Sequence, residues 1–284
     1  MIGTAKNSFG HVGPAGRTRG GFTLLELLLV VAVVAILFSL LLPALSASKR
    51  RVQSVVCLNN LKHVHLAWTM YAQDNGDVLP GVAGGSFPGS DRWVSGWLAM
   101  NGSSDNTNTV YLTDREFSQI GPYLRSAAPY RCPADRSTVR ISGRDYPRVR
   151  SISMNCWMNY VGSGDIGQDR YRIFRRLTDI VDPPVDKAWV FIDEREDSIN
   201  DGMFQTNLKD RRSASKIVDY PAAYHGGAAG IMFADGHGET KRWRDRRTMP
   251  QLHANQIIQL GVHSPDNPDV AWLQERSSSP LPIE

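Results

Sequence analysis

Several groups of residues in this 284-residue chain have types and spacing that suit chemistry. Glu26 is a carboxylate inside an apolar run, and an ionisable group in such a place marks function by default because its burial is costly. His225, Asp235 and His237 lie close together in the chain, and two imidazoles with a carboxylate are donors that zinc takes. With an open coordination position they would make a metal-dependent hydrolase. Asp193, Glu194, Asp197, Asn200 and Asp201 cluster hard oxygen donors suited to calcium, although without the alternating spacing of an EF-hand loop. Cys57, Cys132 and Cys156 are too few and too far apart for a zinc ribbon, and no Cys-x-x-Cys occurs. In an exported protein they would form one disulfide and leave one spare thiol.

The elements that must position these residues follow from pattern. Ala188–Asp193 reads as a buried strand, and Gly230–Ala234 and Glu239–Trp243 read as a hairpin turning through Asp235-Gly236-His237-Gly238. That turn offers a plain alternative for the histidine set, in which Asp235 and Gly236 make the turn and His225 hydrogen-bonds nearby. No glutamate base or activated nucleophile accompanies the set, which favours the turn. For the acidic cluster the plain alternative is surface acidity around a turn. Val52, Val55, Val56, Asn59, His63, Leu66 and Met70 recur at helical spacing, giving a stripe to pack on a head. The helix should stop at Asp74-Asn75-Gly76-Asp77, before Pro80. Residues 81–108 read as loops and short strands. The chain after Arg244 reads as helix-rich or irregular, ending in a frayed Ser277–Glu284.

Charge excludes one class of function. The net charge is +4, with an isoelectric point near 9.0, but basic residues are interspersed with acidic ones. The knots Lys49-Arg50-Arg51 and Lys241-Arg242-Trp243-Arg244 form no stripe or recognisable module, so no nucleic-acid partner is expected.

From Leu24 to Leu42 only Glu26 and Ser39 are polar, a run just long enough to span a bilayer. A cleaved secretory signal ending near Leu45-Ser46-Ala47 would have a shorter apolar core and no carboxylate within it. Gly21-Phe22-Thr23-Leu24-Leu25-Glu26, preceded by Arg19 and followed by this run, resembles the class III signal of type IV pilins and type II secretion pseudopilins. The resemblance implies cleavage between Gly21 and Phe22 by a prepilin peptidase, and N-methylation of Phe22. It also implies that Glu26 meets the Phe22 ammonium of a neighbouring subunit during assembly, since a paired buried carboxylate is tolerated where a lone one is not. Pro43 matches the family's helix interruption and would permit a bend.

The stretch Cys57-Leu58-Asn59-Asn60-Leu61-Lys62, the Cys132-Pro133-Ala134-Asp135 stretch and the ten-residue step from His225 to Asp235-Gly236 resemble a large-headed branch of these proteins. The last matches its processing-associated His-x9-Asp-Gly signature. From this resemblance a Cys57–Cys132 disulfide is expected, with Cys156 a buried thiol, and calcium is the one cofactor to consider because some pseudopilin heads bind it. The expected fold is α+β, a long amino-terminal helix laid against a head with an antiparallel sheet. Its parts are a leader (1–21), a transmembrane helix (22–43), an amphipathic continuation (44–75) and a periplasmic head (76–284). The implied role is a structural, non-enzymatic subunit of a secretion or pilus-like filament. Its partners would be the peptidase, other pseudopilins, inner-membrane secretion components and the membrane. It would cross the inner membrane once, with its amino terminus cytoplasmic. That orientation is what the resemblance implies through its processing motif, since flanking charge is nearly balanced and does not decide it. The alternatives are a membrane-anchored periplasmic hydrolase built on the histidine set, and a secreted binding module.

Overall fold

The computed structural model describes residues 21–85, 88–253 and 256–282, so nearly all of the expected leader lies outside the described residues. The chain divides into two compact units at Ala47/Ser48. In the first, α1 (Leu24–Asp74) begins after a non-helical Gly21-Phe22-Thr23 and runs on through Pro43. Its apolar side chains are exposed all round from Leu24 to Leu42. By length and composition this helix is long and apolar enough to cross a bilayer.

The second unit holds the rest of α1 and the head. After short helices α2 (Val110–Thr113) and α3 (Gly121–Leu124) come β1 (Thr138–Ile141) and β2 (Arg144–Pro147), an isolated hairpin. The main elements are then β3 (Ile152–Asn155), β4 (Trp189–Asp193), β5 (Met203–Phe204), β6 (Lys216–Ile217), β7 (Ala228–Phe233), β8 (Gly238–Arg242), β9 (Val262–His263) and α4 (Pro268–Ser277). The central sheet runs in the order β5-β3-β4-β7-β8. It is antiparallel except where β5 joins β3 in parallel, a short mixed edge on the antiparallel sheet the sequence predicts.

Both faces of this sheet are covered, which is why every residue of β4 and β7 is buried. Leu61, Val64 and Trp68 of α1 pack with Met154, Phe191 and Met232 on one face. Trp189, Ile192, Ile231 and Phe233 pack with Trp243 and with Leu273 of α4 on the other. The buried stripe on α1 is therefore Cys57, Leu61, Val64 and Trp68. It is not the expected one, because Val52, Val55, Val56, Asn59, His63, Leu66 and Met70 all face solvent. The two stripes are offset by about two residues, or roughly 200° around the helix. Both have helical spacing, and the sheet takes the face carrying the large Trp68. The helix ends where expected, with the Asp77 amide reaching back to Ala72 O (2.8 Å). The expected fraying does not begin at Ser277. Ser277, Ser278 and Ser279 are buried, and the Ser278 hydroxyl donates to Arg172 O (2.5 Å). Small hydroxyls can satisfy backbone groups inside the fold, so a Ser-rich end can dock.

Candidate functional site

Two places carry the residues that the sequence marks. At the start of α1, Thr23 and Glu26 close a capping box. The Thr23 amide (2.9 Å) and hydroxyl (2.8 Å) both donate to Glu26 Oε2, and the Glu26 amide donates to Thr23 Oγ1 (3.2 Å). In the single chain Glu26 is thus a local cap for otherwise unpaired amides at a helix start. The spacing Thr-x-x-Glu before an apolar run is the sequence signal of such a box, a signal that sequence reasoning missed here. The Gly21–Phe22 bond lies in the non-helical segment just before it.

The second place is inside the head, and it gathers residues that the sequence assigns to three different partnerships. Cys57 comes from the inner face of α1 and Asp193 from the end of β4, on the α1-facing side it shares with Phe191. His225 comes from the loop entering β7. Cys132 comes from a loop pinned by its own amide to Ser151 Oγ (2.8 Å). One donor atom from each lies within 4.8 Å of all the others. The Cys57 thiol donates to Asp193 Oδ2 (2.6 Å), Cys132 Sγ lies 3.4 Å from His225 Nε2, and His225 Nε2 lies 3.9 Å from Asp193 Oδ2. Cys57, Cys132 and Asp193 have no exposed surface, and the His225 side chain is 2% exposed.

Room for this cluster comes from Gly230 on β7. A Cβ there would stand 2.8 Å from Leu61 Cδ1, 3.0 Å from Asp193 Oδ2 and 3.1 Å from Cys57 Sγ. The bare Gly230 amide instead donates to Asp193 Oδ2 (3.2 Å). Even so, burial pushes the Asp193 carboxyl up to about 7, against the lowering effect of the Cys57 thiol and the Gly230 amide. The hydrogen bond with Cys132, then burial and the Asp193 charge, push the Cys57 thiol well up. Burial pushes the His225 imidazole down. Among the described residues, buried Asp193 Oδ1 and His225 Nδ1 have no hydrogen-bond partner.

This arrangement corrects several expectations. The disulfide is not formed in this structure. Cys57 and Cys132 share the site as free thiols, one turned to Asp193 and the other facing His225. Cys156 is a separate buried thiol. His225 does not reach Asp235 or His237, because they stand at opposite ends of β7. Six extended residues span about 20 Å, so ten residues of sequence here become distance and not contact. Asp235 is taken by the turn itself, accepting from the His237 amide (2.9 Å) and paired with His237 Nδ1 (2.7 Å). Gly236 has the positive φ, +84°, that the turn requires. Its carbonyl accepts from Lys62 Nζ of α1 (2.6 Å).

The acidic segment does not converge on one point either. Asp193 points to the thiols, and Glu194 accepts from Ser198 Oγ (2.7 Å). Asp197 holds the Arg195 guanidinium at 2.5 and 2.8 Å, and Asp201 caps the Gly85 (3.1 Å) and Met203 (2.8 Å) amides. The Asn200 side chain accepts from the Asp201 amide (2.6 Å). Carbonyls that a calcium loop would turn inward go to two buried arginines that sequence reasoning missed. Arg148 donates to Glu196 O (2.5 Å) and Ile199 O (2.9 Å), and Arg150 donates to Asp201 O (2.6 Å). No periodic signal marks them, because a buried arginine reads like any surface one until its acceptors are known.

Residues 16–42 match the family model described as the prokaryotic N-terminal methylation motif. Neither the curated proteins nor the solved structures yield a match to the chain. The chain carries a prepilin-type amino-terminal signal of the type IV pilin and pseudopilin kind, followed by a helix able to anchor it in a membrane.

Proposed function

We propose that this protein is a structural, non-enzymatic pseudopilin-like subunit of a type II secretion or type IV pilus-like filament. It is cleaved between Gly21 and Phe22 by a prepilin peptidase and N-methylated at Phe22. It is held in the inner membrane by the apolar half of α1, with its head in the periplasm. The observation that carries this reading is the methylation motif over residues 16–42, continuous with a helix whose apolar surface is exposed among the described residues. Two further features support assembly. Val52, Val55, Leu66 and Met70 leave an apolar stripe exposed on the stem, a surface suited to helices of neighbouring subunits. The Thr23–Glu26 box holds the carboxylate one turn from Phe22, where the amine of a neighbour can reach it. Mass analysis of the mature chain tests the reading. It should begin at N-methylated Phe22, and Gly21→Glu should leave the leader attached. A mature chain beginning near Ser48 would refute it.

A further inference from the structure

We propose that Cys57, Cys132, Asp193 and His225 form a closed zinc site that ties the stem helix to the head. The inference is independent of the filament reading, since it rests on the interior of the head alone.

Two thiols, an imidazole and a carboxylate are the donor types of a tetrahedral zinc centre. Around such an ion neighbouring donor atoms stand roughly 3.3–3.8 Å apart, given zinc–ligand distances of about 2.0–2.3 Å. The Cys132 Sγ–His225 Nε2 separation of 3.4 Å and the His225 Nε2–Asp193 Oδ2 separation of 3.9 Å are close to that spacing. The Cys57 Sγ–Asp193 Oδ2 contact at 2.6 Å is a hydrogen bond, which zinc would replace by taking the thiol proton's place. Soft thiolates exclude calcium and magnesium, and zinc imposes no geometry that the four segments would have to match beyond tetrahedral closure.

Hydrogen bonding alone accounts poorly for the cluster. Asp193 is wholly buried, and its Oδ1 has no hydrogen-bond partner among the described residues. A half-satisfied polar cluster in a dry interior is unfavourable, and a divalent cation among these donors removes that cost. The surroundings resemble an outer shell: the Gly230 amide donates to Asp193 Oδ2 (3.2 Å) and the Ala134 amide to Cys132 Sγ (3.4 Å). Four protein donors, three of them buried outright and the fourth with its side chain only 2% exposed, leave no open position for substrate, so the site is structural. Its ligands come from α1, the loop after Tyr130, β4 and the loop entering β7, and metal binding would fasten all four together.

The experiment uses the full-length chain, extracted in detergent from cells whose thiols are alkylated at lysis. Elemental analysis should find about one zinc per chain, as a closed four-ligand site holds. Removing it with chelator should lower the melting temperature, and zinc alone should restore it. Cys57→Ser and His225→Ala should each reduce zinc content at least tenfold, while Cys156→Ser should not. Because those variants can fail to fold, cobalt(II) is also exchanged into the wild-type chain. Thiolate-to-cobalt charge-transfer bands together with tetrahedral ligand-field bands support the site. A cross-linked Cys57–Cys132 peptide in the alkylated wild-type chain overturns the proposal. So does a reduced wild-type chain that takes up neither metal.

Discussion

Replacing Leu61 and Leu66 by alanine, one at a time, tests which face of the stem belongs to the head. The two leucines are five residues apart on α1 and identical in chemistry, but Leu61 has no exposed surface and Leu66 is 45% exposed. Leu61 packs against the sheet, where its Cδ1 occupies the space left by Gly230. That neighbour is backbone in a fully buried strand and cannot collapse into a cavity, so the loss should fall in the usual range for core leucines, about 2–5 kcal/mol. For a unit the size of Ser48–Glu284, each kcal/mol moves the midpoint by about 2–4 °C, so Leu61→Ala should melt roughly 4–20 °C lower. Leu66→Ala should stay within about 0.5 kcal/mol, or ~2 °C. The assay is near-ultraviolet circular dichroism of the full chain in detergent during heating, which reads the buried Trp68, Trp93, Trp157 and Trp189. Leu66→Ala should instead weaken cross-linking to filament partners, since its face is the one left open. Equal or reversed melting shifts would mean that the stem packs through the other stripe and would refute the assignment of the core.

Glu26→Gln keeps an oxygen to accept from Thr23 and so keeps the capping box, whereas Glu26→Ala removes both box and charge. If Glu26 pairs with a neighbour's amine, both variants should insert in the membrane and both should lose cross-linking to filament partners; normal assembly of the glutamine variant alone would assign Glu26 to capping. Burial raises the Asp219 carboxyl to about 8, so the folded head keeps a proton that the unfolded chain gives up near pH 4. The stability that this adds is complete below pH 4 and is lost as pH rises to about 8, and Asp219→Asn should flatten that decline in pH-dependent melting curves; an unchanged slope would count against it. Calcium at millimolar concentration should leave the melting temperature unchanged, because Arg148 and Arg150 already hold the carbonyls of the acidic segment, and a rise that chelator reverses would show otherwise.

The parts of the fold legible in the sequence are those fixed by local pattern. The apolar run, the helix stop at Asp74, the strand at Trp189–Asp193 and the hairpin at Asp235-Gly236 are all local, and each is found within a residue or two. What pattern does not decide is partnership. Two helical stripes coexist on the stem, and only the sheet selects between them. The carboxylates of 193–201 are adjacent in sequence yet diverge, because successive side chains at a strand end and in the following turn point in different directions. Cys57, Cys132, Asp193 and His225 all stand out as single residues. No rule of spacing joins a helix, a loop, a strand end and a second loop into one cluster.

The His-x9-Asp-Gly spacing shows how a sequence signature can be physical without being a contact. His225 and Gly236 bracket β7, and each end of that strand touches α1. At one end His225 meets the cluster containing Cys57, and at the other the Gly236 carbonyl accepts from Lys62 while a Cβ there would stand 3.1 Å from His65 Cε1. The stem from Cys57 to His65 rises about 12 Å, and the six extended residues of the strand cover about 20 Å. The ten-residue step from His225 to Asp235 therefore contains a whole strand, with a contact to the stem at each end. Shortening it by one residue would turn Gly230 and Met232 to the opposite face, taking the space around Asp193 with them. His225 thus falls at the end of the strand where the four donors meet, and Gly236 at the end held by Lys62.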